Sequence, residues 1–125
     1  MEQLFNSFQY LFQFWPMFLL FIGVFLGIVV GSIPGLTTTM LITLTLPLTF
    51  FMDSVNAITL LIGMYVGGIS GSQIAATLLR MPGTPASIMT TFDGYPMSQQ
   101  GKSGRALALG ITSSFIGGII SWLFL

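Results

Sequence analysis

Two short stretches of this chain hold residues that could do chemistry, and both follow one plan: a proline and a glycine that interrupt a helix, then hydroxyls. The first is Pro34-Gly35-Leu36-Thr37-Thr38-Thr39 and the second is Pro82-Gly83-Thr84-Pro85-Ala86-Ser87. Proline lacks an amide hydrogen and its ring clashes with the preceding turn, while glycine adds conformational freedom, so neither stretch continues a regular helix. An interrupted helix exposes amide hydrogens of positive partial charge on one side of the break and carbonyls on the other. Such a break can hold an anion and a cation together, and adjacent hydroxyls add donors for a carboxylate or oxygens for sodium. The candidate binding residues are therefore Pro34, Gly35, Thr37, Thr38, Thr39, Pro82, Gly83, Thr84, Pro85 and Ser87. Arg80 and Asp93 are secondary candidates. Arg80 suits a carboxylate if it faces a cavity, and otherwise extends to an aqueous interface.

Other chemistries fit less well. Pro96 to Ser103 approaches a phosphate-binding loop, but proline stands where glycine is needed and no strand precedes it. Gly68-Ile69-Ser70-Gly71 has the form of an intramembrane serine nucleophile, yet the chain has no histidine, and no lysine on a neighbouring helix, to take the proton. Asp53 and Asp93 share no face. No spacing suits a metal centre, and without cysteine there is no thiolate chemistry. An enzyme is disfavoured. A net charge of zero and the lack of a basic, aromatic-interleaved patch disfavour nucleic acid as a partner.

The elements that must position these residues are membrane helices. Hydrophobic residues make up 54% of the chain and charged ones 5%, against about 25% charged in a soluble domain, so the partner solvent is lipid. Broken backbone survives at membrane depth only where protein buries it or where it lines a wet cavity. The expected fold is all-α, a polytopic transmembrane helical protein with broken helices or a re-entrant hairpin. Met1 to Gln13 is amphipathic and aromatic, either an interfacial helix or an extension of the first span. Helices are expected at about 14–33, 36–51 and 55–71, then a re-entrant segment at about 72–92, then a helix over 106–125. The second helix is short for a bilayer of roughly 30 Å. Its stripe of Thr38, Thr45 and Thr49 is either a polar pathway or a set of hydroxyls bonding their own carbonyls. Asp53 or Ser54 can cap the next helix.

Glycines recur every four residues at Gly23, Gly27 and Gly31 and again at Gly63, Gly67 and Gly71, and small residues recur at Ala106, Gly110, Ser114 and Gly118. These ladders let helix backbones approach closely. For the second break two geometries fit: a hairpin entering near Ser72 and leaving as Ala86 to Phe92, or one long helix from Val55 that breaks near its end. The lower apolarity beyond Gly71 favours the hairpin. Lys102 and Arg105 place the polar Asp93 to Arg105 segment in the cytoplasm by the positive-inside tendency.

The stretches GSIPGLTTTM, LTLPLTFFMD and the run from Leu60 to Gly110 containing RMPGTPASIMTTFDGYPMSQQGKSGR resemble the large membrane subunit of tripartite tricarboxylate transporters, over about Gly27 to Gly118. The resemblance implies ion-gradient-driven carboxylate uptake across the bacterial inner membrane, with sodium or protons as coupling ion. It implies two partners, a small membrane subunit and a periplasmic solute-binding protein. It also implies a longer subunit with two related halves, of which this chain is the N-terminal part. Arg80 and Ser70-Gly71-Ser72 depart from the family pattern. The alternative is a small helical membrane protein that packs against partners and transports nothing.

Overall fold

The computed structural model describes residues 1–125, and they fold into six α-helices with no strand: α1 (Glu2–Leu11), α2 (Phe14–Gly31), α3 (Thr38–Thr49), α4 (Ser54–Leu79), α5 (Ile88–Gln99) and α6 (Ser103–Phe124), with one 3₁₀ turn at Pro85–Ser87. Three of them, α2, α4 and α6, are long and apolar enough to cross a membrane.

The centre is the α2–α4 pair, and glycine makes it. Gly23 lies against Leu60 and Gly63, Gly27 against Met64, Gly67 and Gly68, and Gly31 against Gly68. From the other side Gly63 lies against Leu20 and Gly23, Gly67 against Val24, and Gly71 against Ile28 and Ser32. Both sets of numbers rise together in steps of four, so the two helices run parallel with interlocked ladders. A Cβ at Gly27 would stand 2.5 Å from the Met64 carbonyl oxygen and 2.7 Å from the Gly68 nitrogen, which is the close backbone approach that small residues permit. Leu19, Leu60 and Met64 form the small core beside this seam, flanked by Ile22, Leu41, Ile42 and Met52.

α3 returns the chain from the end of α2 to the start of α4. It has 12 residues and contains Pro47, giving about 18 Å at 1.5 Å per residue, shorter than the sequence suggests. α1 is a separate helix with every residue exposed, because Gln13 takes an extended conformation ahead of α2. Its Leu4, Phe5, Phe8 and Phe12 share one apolar side, as an interfacial helix requires. Asp53 stands at the N-cap of α4 but its side chain bonds nothing.

The second break departs from the expected hairpin. α4 does not stop at Gly71 but continues as one helix of 26 residues to Leu79, so the inward arm is its last two turns. The outward arm is not helical at first. Thr84 lies beside Ser72, Gly94 beside Thr77 and Tyr95 beside Arg80, so α5 climbs in the same sense as α4. Arg80 to Thr84 is therefore the return path, dropping about two turns back along α4 before the chain turns upward again. Helix α5 also occupies most of the segment expected to be a polar loop, leaving Gln100–Lys102 as the turn into α6. The small-residue ladder of α6 is used only in part: Ala106 is buried and Gly110 meets Gln73, whereas nothing lies near Gly117 or Gly118.

Candidate functional site

The first break is a tight turn. The Leu36 amide donates to the Ile33 carbonyl at 3.2 Å and Gly35 has φ +92°, the pattern of a type II turn with proline at its second position and glycine at its third. Thr37, extended at φ −96° and ψ 150°, then caps α3, its hydroxyl accepting from the Met40 amide at 3.2 Å. Thr39 is exposed. Thr38, between them, turns inward onto Gly68 of α4. It is 4% exposed, and its hydroxyl has no hydrogen-bond partner. Thr45 and Thr49 bond the Leu41 and Leu46 carbonyls at 2.8 and 2.6 Å, so the stripe on α3 satisfies itself everywhere except at Thr38.

The second break begins at Arg80, the one non-glycine residue with positive φ, at 57°. Its left-handed conformation closes α4, with its own amide and that of Met81 both donating to the Ala75 carbonyl, a Schellman-like end. Pro82 and Pro85 bias Met81 and Thr84 away from the helical region, and Thr84 is extended at φ −139° and ψ 155°. Thr84 and Ser87 form a reciprocal cap: the Thr84 amide donates to the Ser87 hydroxyl at 3.3 Å, and that hydroxyl donates to the Thr84 carbonyl at 2.8 Å. Ser87 is 1% exposed.

The two breaks meet on α4. The Thr84 and Ser72 hydroxyls are 3.1 Å apart. A Cβ on Gly83 would lie 3.2 Å from the Ser72 Cβ, 3.6 Å from the Gly31 carbonyl oxygen and 3.8 Å from the Leu36 carbonyl oxygen. The last residue of α2, the turn after it and the tip of the second break thus share one spot, with Thr38 a turn away on Gly68. Residues 68 and 72 lie in the C-terminal half of α4, level with the end of α2 and two to three turns before α4 itself ends. The C-terminal end of α2 and the N-terminal ends of α3 and of the Pro85–Ser87 turn converge there, bringing carbonyls and amides of opposite partial charge together.

Of the candidate residues, Thr38, Gly83, Thr84 and Ser87 are buried or half-buried at this convergence, while Pro34, Gly35, Thr37, Thr39, Pro82 and Pro85 shape the backbone from its exposed side. Arg80 and Asp93 lie outside it. The Arg80 guanidinium carbon is 5.7 Å from the Tyr95 ring centroid, a cation–π distance, and Asp93 borders the cleft between α5 and α6 with Met89, Met97 and Leu109. Sequence reasoning missed Gly31, Gly68 and Ser72. The signal existed: Gly68, Ser72 and Ala76 make a second small-residue ladder on α4, one position off the first, and all three are buried. The two rejected motifs dissolve into packing. Ser70 bonds the Val66 carbonyl at 3.0 Å, and Pro96 to Ser103 is the end of α5, a turn at Gly101 with φ +78° and the start of α6.

Residues 17–125 match the model of the tripartite tricarboxylate transporter TctA family. Over 80 residues the chain is 39% identical to an uncharacterized 52.8 kDa protein of Agrobacterium vitis, encoded in the TAR-I ttuC' 3' region. That alignment covers 64% of this chain and 16% of the relative, so the chain spans only a small part of the relative's length. No solved structure matches.

Proposed function

The chain belongs to the tripartite tricarboxylate transporter TctA family, and we propose that it forms the N-terminal part of the large membrane subunit of an ion-gradient-driven carboxylate uptake system. In this proposal it sits in the bacterial inner membrane and works with a small membrane subunit and a periplasmic solute-binding protein, which delivers the carboxylate. The observation that carries the proposal is the meeting of the two Pro-Gly breaks at Ser72, on the longest helix and level with the end of α2. Discontinuous helices with opposed termini suit a substrate carboxylate and its coupling ion, here on the α2-end side of the bundle. In this reading the Thr38, Thr39 and Ala86 amides, which bond nothing within the fold, are left for the anion, and the Gly31 carbonyl at the end of α2 for the cation. Lys102 and Arg105 favour a cytoplasmic start for α6, which sets the ends of α2 and α4 toward the cytoplasm and the Asp53–Asn56 turn toward the periplasm.

The test is uptake by the complete subunit with its partners. Thr84→Ala and Ser87→Ala are expected to lower carboxylate uptake about tenfold, the cost of one lost hydrogen bond of about 1.4 kcal/mol, at unchanged membrane abundance. Normal uptake in both variants removes these side chains from the site.

A further inference from the structure

We propose that the cleft between α5 and α6 is a docking groove for a helix of the subunit beyond residues 1–125, and that this helix brings a lysine or arginine to pair with Asp93. The proposal rests on reading the chain as part of a longer subunit and is independent of which solute or ion that subunit carries.

The cleft has a volume of about 400 Å³ and is lined by Met89, Asp93 and Met97 of α5 and by Leu109, Gly110 and Ser113 of α6. Helix α4 closes it from behind. There the Gln73 side-chain oxygen is 3.2 Å from where a Cβ on Gly110 would stand, and the Gln73 amide donates to the Ser114 hydroxyl at 3.2 Å. Thr77 lies behind Gly94, buried, its hydroxyl bonded to nothing. The opposite side is open, and Asp93 and Leu109 are exposed on it.

Nothing within the fold answers the Asp93 carboxylate. It forms no hydrogen bond and no ion pair, while its neighbours Thr91 and Tyr95 bond within α5 and Arg80 lies over the Tyr95 ring. Lys102 and Arg105 stand at the start of α6, whereas Asp93 shares its cleft with Leu109 and Gly110, six and seven residues into that helix, about 9–10 Å along it at 1.5 Å per residue. An ionised carboxylate at such depth is costly against lipid, and groups of this kind face the interior of a bundle and pair. The cleft is therefore a protein contact.

The rest of the subunit fits it. Ala106 is the one buried residue of α6, and Gly110, Ser114 and Gly118 leave room for another helix backbone to approach. Met89 and Met97 adapt to whatever side chains it carries. The Agrobacterium vitis relative has most of its chain outside the aligned region, which is 16% of its length, so further helices belong to the same polypeptide. A second copy inserted in the same sense carries Lys102 and Arg105 at least a turn nearer the start of α6 than the carboxylate, and so answers Asp93 poorly.

The experiment places photoreactive benzoylphenylalanine in place of Leu109 in the complete subunit, irradiates membranes and maps the cross-linked peptide by mass spectrometry, with carboxylate uptake measured in parallel. The expected product is an internal cross-link to a segment beyond residue 125 that contains lysine or arginine. A cross-link to lipid, to a second copy, to another membrane protein or to a segment without a basic residue overturns the proposal, as does recovery of uncross-linked subunit alone. Asp93→Asn is expected to lower the melting midpoint of the purified subunit by about 5 °C, because it leaves the opposing base buried and unpaired. Replacing that base by methionine in the same variant is expected to restore most of the loss. An unchanged midpoint in Asp93→Asn overturns the pair. Should Asp93→Asn not accumulate, the double variant decides: its recovery in membranes supports the pair and its absence overturns it. A cross-link elsewhere in a subunit that still takes up carboxylate overturns the docking and leaves the permease standing. The expected cross-link in a subunit that moves no carboxylate under any gradient supports the docking and overturns the permease instead.

Discussion

Three neighbouring threonines at the start of α3 have three different environments, and the difference is geometric. Successive residues on a helix point about 100° apart, so only one of Thr37, Thr38 and Thr39 can face α4. Thr37 caps the helix, Thr39 faces outward, and Thr38 carries its hydroxyl into contact with Gly68 without a partner. An unsatisfied buried hydroxyl is a cost, and replacing it with a methyl group of the same shape is near neutral or stabilising. Thr38→Val should therefore leave thermal stability unchanged or raise it by up to about 1 kcal/mol. A clear loss of stability would show that the hydroxyl is already satisfied within the fold. That the hydroxyls matter is visible in the sequence, because they cluster behind prolines. Which one is buried is not, because that depends on Gly68, 30 residues away on another helix. Arg80 shows the same limit: its charge marks it as a ligand candidate, whereas its left-handed backbone and its place over Tyr95 emerge only once α5 has climbed beside α4.

At the scale of elements, the glycine ladders were plain from their period of four, and they pack as that period implies. The α6 ladder has the same look in sequence, yet beyond the buried Ala106 it meets α4 only at Gln73, through Gly110 and through Ser114, which accepts from the Gln73 amide at 3.2 Å. A period shows that close packing is permitted, and the neighbour decides whether it happens. Gly27→Ala and Gly67→Ala should each cost about 1–3 kcal/mol, because the new Cβ meets the backbone of Met64 and Gly68 or of Val24. Gly118→Ala, with nothing near it, should be neutral or stabilise by up to about 1 kcal/mol through helix propensity. Equal losses at all three positions would contradict the interlocked α2–α4 seam. The return path after α4 was less legible. Pro82 and Pro85 announce a break and bias the residues before them toward extended conformations, but the direction of the chain after a break is fixed by how Arg80 ends the helix and by what Thr84 finds on Ser72.

At the scale of the whole molecule, the architecture is a parallel α2–α4 pair with two interruptions folded together where α2 ends against α4. Most of α6, all of α1 and the outer face of α2 stay exposed; exposed apolar faces of this extent suit lipid or further protein, and the Agrobacterium vitis relative is several times longer than the aligned region. The all-α membrane class was legible from composition because so few charges leave no soluble alternative. The convergence of the breaks was not, since Leu36 and Gly83 are brought together only through the register of α2 on α4. The central claim is that this convergence lines the transport pathway. It is tested most directly by single cysteine substitutions from Met81 to Ser87 in this naturally cysteine-free chain, within the complete subunit, with a polar thiol reagent and with or without carboxylate. The account predicts that Gly83→Cys, Thr84→Cys and Ser87→Cys react and that substrate protects them. Free reaction from one side of the membrane, unchanged by substrate, would make the break a surface loop and place the pathway elsewhere.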